Sequence, residues 1–155
     1  TRLAPYTRFQ QLIREDRQWR EKAPGAMPEL SEQLLGRSAS VALAEWQAAQ
    51  NKEITETFVV NWEGGITALS RLTSDLWQGD ETQFQALLAA EPGEIHLESL
   101  IYDASTRRFQ VIASTPLHSD SGRFIGGLIM GLDVEQVLRH AIGPEPAKPP
   151  SPRPY

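Results

Sequence analysis

In the first third of the chain, apolar residues recur every three to four positions, the spacing typical of amphipathic helices. A first helix is predicted from Thr7 to Lys22, with Thr7 as its N-cap, and Pro24-Gly25 ends it because proline removes a backbone donor. A second helical region is predicted from Pro28 to Gln50, with an interruption between Gly36 and Ser40. Each helix is expected to bury one apolar stripe against a partner.

After residue 52 the pattern changes to the alternation typical of β-strands. Thr57–Val60 and Ile66–Ser70 are predicted strands joined by the tight turn Glu63-Gly64-Gly65, so they form an antiparallel hairpin. Three more strands are predicted at Ile95–Asp103, Phe109–Thr115 and Phe124–Asp133. Two helices are predicted at Asp80–Ala90 and Val134–Ile142.

The predicted order, helices followed by β-β-α-β-β-β, belongs to the α+β class. Consecutive hairpins place the third, fourth and fifth strands side by side. Joining this triplet to the first pair through the first and last strands gives the order 2-1-5-4-3. The arrangement is a five-stranded antiparallel sheet of PAS-like topology. The last strand contains Gly126, Gly127 and Gly131, which indicates that another backbone or a ligand approaches closely there.

The prediction groups the chain into two parts of one domain and a tail. Residues 1–52 contribute the N-terminal helices, and residues 53–142 form the sheet core. Residues 143–155 contain six prolines, so they tend to polyproline II rather than helix. This tail is either a passive linker or a segment that docks in an aromatic groove through Lys148–Arg153.

The stretch Thr73–Glu81 concentrates polar chemistry around one large ring, Trp77. Polar groups beside an aromatic ring suit a small-molecule site, because the ring supplies contact area and the polar groups fix orientation. The same residues also match two helix caps, since Asp75 with Gln78 and Asp80 with Gln83 have the capping-box spacing. The pattern alone leaves both interpretations open.

Composition excludes several classes of protein. The 155 residues include no cysteine, which excludes disulfides, thiolate metal sites and cysteine nucleophiles. A net charge of −5 argues against nucleic-acid binding, which needs a basic surface. No apolar run is long enough to cross a bilayer. Because the chain begins at Thr1 rather than Met, we expect a processed or excised form whose signal peptide or membrane anchor lies upstream.

The residues do not favour an enzyme. The three histidines, His96, His118 and His140, lack metal-ligand spacing, and no phosphate loop, nucleophile elbow or dinucleotide motif is present. Asp75, Asp80 and Glu81 could form a hydrolytic carboxylate pair or hold Ca²⁺, but their spacing is not that of an EF-hand loop. We therefore expect no catalytic residue, no metal and no cofactor.

From Phe58 to Asp133 the sequence resembles the PDC or single-Cache sensor domains of Gram-negative bacteria, especially small exported proteins. The motifs that carry the resemblance are the following: Thr57–Asn61 before a glycine turn, Thr73-Ser74-Asp75, Trp77-Gln78-Gly79-Asp80-Glu81, Ser114-x-Pro116, Ile125-Gly126-Gly127, and Gly131-Leu132-Asp133-Val134. The likeness extends more weakly to the N-terminal helices. Two residues depart from the pattern: Leu76 replaces an expected tyrosine, and Asn61 replaces an expected aspartate.

The resemblance implies a periplasmic, small-molecule sensing domain in signal transduction, with long N-terminal helices on one face of the sheet and a small-molecule pocket on the other. Its ligand would be an amino acid, an amine or a carboxylate, and its partners would be a membrane-bound signalling protein and a second copy bound through the N-terminal helices. Nucleic acid is not an expected partner. The alternative is a non-catalytic protein-interaction module whose pocket is filled or degenerate.

The resemblance also implies candidate ligand-binding residues. The connection between the second and third strands would cap the ligand, so Asp75, Trp77 and Asp80 are the first candidates. Arg71 could clamp a ligand carboxylate bidentately. Strand alternation separates Gln110, Ile112 and Ser114 from Val111, Ala113 and Thr115. The remaining candidates are the hydroxyl-bearing strand residues Tyr102, Ser114 and Thr115.

Overall fold

The computed structural model describes residues 5–22, 26–103 and 107–143. Three helices come first: α1 (Pro5–Glu21), α2 (Pro28–Leu35) and α3 (Ser38–Ala48). The interruption predicted after Gly36 is confirmed, because Arg37 has an extended backbone between α2 and α3. The prediction of Thr7 as an N-cap is wrong. Thr7 lies inside α1, which begins at Pro5, a residue whose fixed φ and missing N–H suit the first turn of a helix.

The second part of the chain forms a sheet and two helices. The strands are β1 (Ile54–Asn61), β2 (Ile66–Leu69), β3 (His96–Leu97), β4 (Ile101–Asp103), β5 (Arg108–His118) and β6 (Phe124–Asp133). The helices are α4 (Thr82–Ala89) and α5 (Val134–Ile142). All pairings are antiparallel, and the order is β2-β1-β6-β5-β3, with β4 also paired to β5. The PAS-like α+β prediction is confirmed.

The third predicted strand is divided into β3 and β4, so its prediction as one continuous strand is wrong. Leu97 pairs with Ala113, and Ile101 pairs with Gln110, so the three residues 98–100 lie opposite the two residues 111 and 112. One extra residue therefore bulges out of the ladder between them, which bends a strand and redirects its side chains. Glu98 lies in this bulge, and its N–H donates to Ile112 O at 2.9 Å.

The apolar core lies on the sheet face that carries Phe58, Val60, Ile112 and Ile129. Residues from α1, α2, α4 and the segment before α4 pack on this face, namely Trp19, Leu34, Leu76, Phe84 and Leu87. The close approach predicted at the glycines of the last strand is confirmed. A Cβ at Gly127 would lie 2.2 Å from Leu87 Cδ1, and one at Gly126 would lie 2.0 Å from Val60 O.

The N-terminal helices are fixed to the sheet by side-chain bonds to strand backbone. Ser40 Oγ in α3 accepts from Leu69 N at 3.0 Å, and Gln47 Nε2 donates to Thr55 O at 3.1 Å. Between them, these bonds tie α3 to β2 and to β1. Among the described residues, no helix combines the length and the hydropathy that crossing a bilayer requires.

Beside the start of β1, Asp133 closes β6 and begins α5, and its N–H donates to Glu53 O at 2.7 Å. Its Oδ1 accepts from Gln136 N at 3.0 Å, and its other oxygen pairs with Arg108. Burial alone would raise the pKa of Asp133, but the bonds from Arg108 and the Gln136 N–H outweigh burial and lower it. Asp133 thus ends β6 by accepting from the backbone of the helix that follows.

Candidate functional site

The segment between β2 and α4, residues 70–81, is called here the Trp77 connection. Its middle is extended rather than helical. Leu76 O accepts from Ile66 N at 2.9 Å, Gln78 N donates to Gly64 O at 2.8 Å, and Trp77 forms an antiparallel bridge with Gly65. The connection therefore runs beside the β1–β2 turn as a short additional strand.

This geometry contradicts the prediction of two consecutive helix caps. The Asp75–Gln78 pair does not begin a helix, because the backbone bonds of this stretch go to the hairpin. Helix α4 begins at Thr82 rather than Asp80, and Glu81 holds the N-cap position without a side-chain bond. Gln83 Nε2 donates instead to Gln78 Oε1 at 3.1 Å. The polar groups of the connection are thus available for roles other than capping.

Trp77 packs on the hairpin turn and on α1. Its Nε1 donates to Glu63 O at 2.8 Å, and its ring meets that of Phe9 edge to face at 5.9 Å. The ring lies directly against Gly79, where a Cβ would come within 2.5 Å of it. The Trp-Gln-Gly spacing therefore has a packing reason, since only glycine leaves room for this indole.

Helix α1 holds the connection through two buried side chains. Asp16 is fully buried, and its Oδ1 accepts from Leu76 N at 2.8 Å and from Trp77 N at 3.0 Å. Arg20, one turn later, pairs with Asp16 at 2.9 Å. Trp19 Nε1 donates to Thr73 O at 2.8 Å. These contacts fix the connection as part of the folded core.

A cavity of about 250 Å³ lies between the connection and the sheet; it is called here the polar cavity. Phe58, Ile112 and Ile129 form its apolar floor, one residue each from β1, β5 and β6. Ile101 contributes from β4. An apolar floor with polar walls is the usual construction of a small-molecule site.

Four carboxylates line the polar cavity, and each comes from a different part of the fold: Glu56 from β1, Asp75 from the connection, Glu81 from the start of α4, and Glu98 from the bulge. None of the residues that the structure places along its wall is lysine, arginine or histidine. Burial raises the pKa of Glu81, and the charges of Asp75, Asp80 and Glu98 raise it further, while Arg20 opposes them. The described lining of the cavity is therefore acidic.

Neutral polar side chains complete the wall. Gln78 and Gln110 are almost fully buried, and both line the polar cavity. Gln78 Oε1 accepts from Gln83 Nε2, and Gln110 Oε1 accepts from Thr55 Oγ1, each at 3.1 Å. Thr73 Oγ1 donates to Asp75 O at 2.7 Å and holds the turn on which Asp75 lies. These bonds fix the wall without occupying the space inside it.

Of the residues proposed from the sequence, the structure places Asp75 in the lining of the polar cavity. Asp80 and Arg71 are exposed, and Trp77 contacts the hairpin and α1 instead. Tyr102 is exposed, with its ring 5.2 Å from that of Phe109.

The two remaining candidates lie on opposite faces of β5. Ser114 is buried on the same face as Ile112, and its Oγ has no hydrogen-bond partner among the described residues. Thr115 lies on the other face and donates to Glu94 O at 2.8 Å. The predicted strand alternation is confirmed, but neither hydroxyl belongs to the cavity lining.

The sequence interpretation missed most of the wall. Glu56 lies on the same strand face as Phe58 and Val60, and Gln110 lies on the same face as Ile112. A polar residue on an otherwise apolar strand face could have indicated both positions. Glu98 had no such signal, because its direction depends on the bulge. The two departures from the family pattern have structural roles: Leu76 joins the core, and Asn61 Oδ1 accepts from the N–H groups of Glu63 and Gly65.

No model of a known protein family matches the sequence, and no curated protein matches it. Solved structures do match. The extracellular domain of rpHK1S-Z16, a candidate histidine kinase, is 12% identical, with a TM-score of 0.56 over 90% of this chain and 63% of that one. The sensory domain of the Campylobacter jejuni chemoreceptor Tlp3 is 16% identical, with a TM-score of 0.54 over 84% of this chain and 55% of that one.

The Tlp3 ligand-binding domain in complex with L-valine matches similarly, at 16% identity and a TM-score of 0.53 over 84% of this chain and 54% of that one. The chain thus spans between half and two thirds of the length of these structures. At such identities the similarity shows the fold. The chain has the PDC or Cache-type fold of extracytoplasmic sensor domains, as the sequence resemblance predicted. The matched structures include the sensory and ligand-binding domain of a chemoreceptor and the extracellular domain of a candidate histidine kinase.

Proposed function

We propose that this domain is an extracytoplasmic, non-catalytic sensor that binds a small metabolite in the polar cavity. The ligand classes that the fold suggests are amino acids, amines and carboxylates. Occupancy would be reported to a membrane-bound signalling partner, and pairing of two copies through the N-terminal helices remains a prediction. The matched histidine-kinase and chemoreceptor domains support this role through their shared fold.

The observation that carries the proposal is the open space beneath the Trp77 connection. Leu76 packs into the core and Trp77 packs on the hairpin, so neither side chain fills the cavity. The remaining volume of about 250 Å³ is slightly below the roughly 300–1,000 Å³ of pockets for drug-sized ligands. The cavity therefore suits a small metabolite.

A thermal-shift screen of amino acids, amines and carboxylates tests the proposal. A compound that binds only the folded state raises the free energy of unfolding, by about 2.7 kcal/mol at a concentration of 100 times Kd. The melting temperature rises as a result. Ile101→Trp, at the edge of the cavity, should remove the shift by obstructing it. Leu97→Trp is the matched control, because Leu97 is similarly exposed on the neighbouring strand and does not line the cavity.

The proposal fails if no compound in the panel moves the transition of the unmodified domain. It also fails if Ile101→Trp keeps the full shift, because the ligand would then bind elsewhere. Isothermal titration calorimetry of any active compound confirms one-site binding independently of thermal unfolding.

A protein-interaction role is the second candidate, and one surface favours it. Trp62, Leu88 and Ile125 are 61%, 53% and 41% exposed. Together with Arg123 and Phe124 they line an open depression of about 560 Å³. Contiguous exposed apolar surface of this kind is typical of interaction sites. A pure interaction module predicts that no metabolite in the screen raises the melting temperature.

A further inference from the structure

We infer that the polar cavity selects a small amine with net positive charge and rejects ligands that carry a free carboxylate. This inference rests on the proposed function, and it narrows three ligand classes to one. The reasons lie in the acidic side chains of the wall, the absence of a basic residue from its described lining, and the shape of the space.

The wall concentrates acidic side chains, and no basic side chain stands among its described residues. Glu56, Asp75, Glu81 and Glu98 all border the same space. Two nearby arginines have other partners, since Arg20 pairs with Asp16 and Arg108 pairs with Asp133. The carboxylates therefore favour a ligand that brings its own positive charge.

In Glu98, one carboxylate oxygen lacks a hydrogen-bond donor among the described residues. This atom, Oε1, is buried. A buried carboxylate oxygen without a donor is costly, and it is stabilised when a cation arrives. An ammonium group carries three donors and one positive charge, so it complements the carboxylate acceptors of this wall.

Among the described residues, the wall offers no cationic group that would pair with a carboxylate. Recognition of an amino acid requires a donor for its carboxylate, most often an arginine fork or a set of backbone amides. The arginine considered from the sequence, Arg71, is exposed and does not line the cavity. A ligand carboxylate would therefore lie beside like charges such as Glu98 and Asp75, which is unfavourable.

The shape of the space favours an alkylamine over a metal ion. The floor of Phe58, Ile112 and Ile129 provides apolar contact for a short carbon chain, which a bare cation would not use. Within the described ranges, no group of three His, Cys, Asp or Glu side chains converges closely enough to hold a metal ion. The carboxylates are instead distributed around the space.

Calorimetric titration of the full chain with ligands that share a four-carbon skeleton tests this selectivity. The probes are butane-1,4-diamine, butylamine, 4-aminobutanoate and butanedioate, with L-valine and CaCl₂ added to the panel. We expect the diamine to bind most tightly and 4-aminobutanoate to bind about tenfold or more weakly, because one end of it meets like charge. Butanedioate should not bind.

Two variants test whether the carboxylates of the cavity wall determine this selectivity. Glu98→Gln should weaken diamine binding about tenfold, because it removes a charge-assisted bond while keeping the shape of the side chain. Glu45→Gln is the matched control, since Glu45 is exposed on α3 and lies outside the cavity lining. It should leave the affinity within about twofold, because a distant exposed charge is screened.

The outcomes separate the inference from the proposed function. If L-valine, 4-aminobutanoate or butanedioate binds more tightly than the diamine, the charge selectivity is refuted while small-molecule sensing stands. If CaCl₂ alone binds, or if Glu98→Gln binds the diamine as well as the unmodified domain does, the inference is also refuted. If no probe binds and the wider metabolite screen is negative, the proposed function itself fails.

Discussion

Replacement of Asp16 tests whether α1 fixes the position of the Trp77 connection. Asp16 lies on a helix sixty residues before the two N–H groups that it binds, and its side chain is fully buried. Asp16→Ala removes the acceptor for the amides of Leu76 and Trp77. It leaves the Leu76 N–H without a hydrogen-bond partner in the buried core.

The magnitude follows from the contacts that are lost. A hydrogen bond to a charged group contributes about 1.5–3 kcal/mol, and Asp16 accepts two, at 2.8 and 3.0 Å. The pair with half-exposed Arg20 adds little, because solvent screens it. We therefore expect Asp16→Ala to lower the free energy of unfolding by about 3–5 kcal/mol. Asp16→Asn should lose less, about 1–2 kcal/mol, because its amide oxygen can still accept both bonds.

Equilibrium urea denaturation measures these changes. Arg17→Ala is the matched control on the same helix, since Arg17 is exposed, and it should stay within about 0.5 kcal/mol of the unmodified domain. If Asp16→Ala costs less than about 1 kcal/mol, the two bonds do not hold the connection and this account of it is refuted. Asp16→Asn remains folded enough for ligand titration, so any loss of affinity can be separated from unfolding.

Two further changes probe the sheet and the charge of the cavity. Gly126→Ala should destabilise the domain by about 3 kcal/mol or more in urea, because its Cβ would meet Val60 O at 2.0 Å. Gly122→Ala, also at positive φ but with open space around it, should cost only about 1–2 kcal/mol, and equal costs would contradict the steric argument. The pKa of Glu81 is raised by burial and by neighbouring carboxylates, so the folded state binds this proton more tightly than the unfolded state does, and stability falls as pH rises through that pKa. Glu81→Gln should therefore raise the calorimetric melting temperature at pH 7, by an amount that shrinks as the pH is lowered to 4; a lower melting temperature at pH 7 would contradict it.

The sequence predicted the parts of the fold that depend on local signals. The bounds of β6 and α5 agree with the prediction residue by residue, because a strand alternation ends at Asp133, which also caps the helix. The hairpin turn was predictable because Gly64 can adopt its positive φ. The division of β3 from β4 was not predictable, since an extra residue in the ladder becomes visible only when the register with β5 is known.

The candidate site was predictable only in part, for a similar reason. Asp75 could be found because it lies in a dense polar stretch. Glu56, Glu98 and Gln110 come from three strands, and their meeting depends on sheet register rather than on spacing in the chain. The role of Asp16 could not be predicted from the sequence either. In sequence it resembles a surface residue of a charged helix, and only its contact with the connection makes it a buried acceptor.

The two interpretations of the Thr73–Glu81 stretch, structural and ligand-binding, apply to different side chains of the same segment. Trp77 and Gly79 fasten its outer edge to the hairpin and α1. Asp75, Gln78 and Glu81 border the space on its inner side. Because the fastening uses backbone bonds and an indole placed outside the cavity, the connection needs no side chain beneath it for support. The polar cavity stays open for the same reason that the connection is stable.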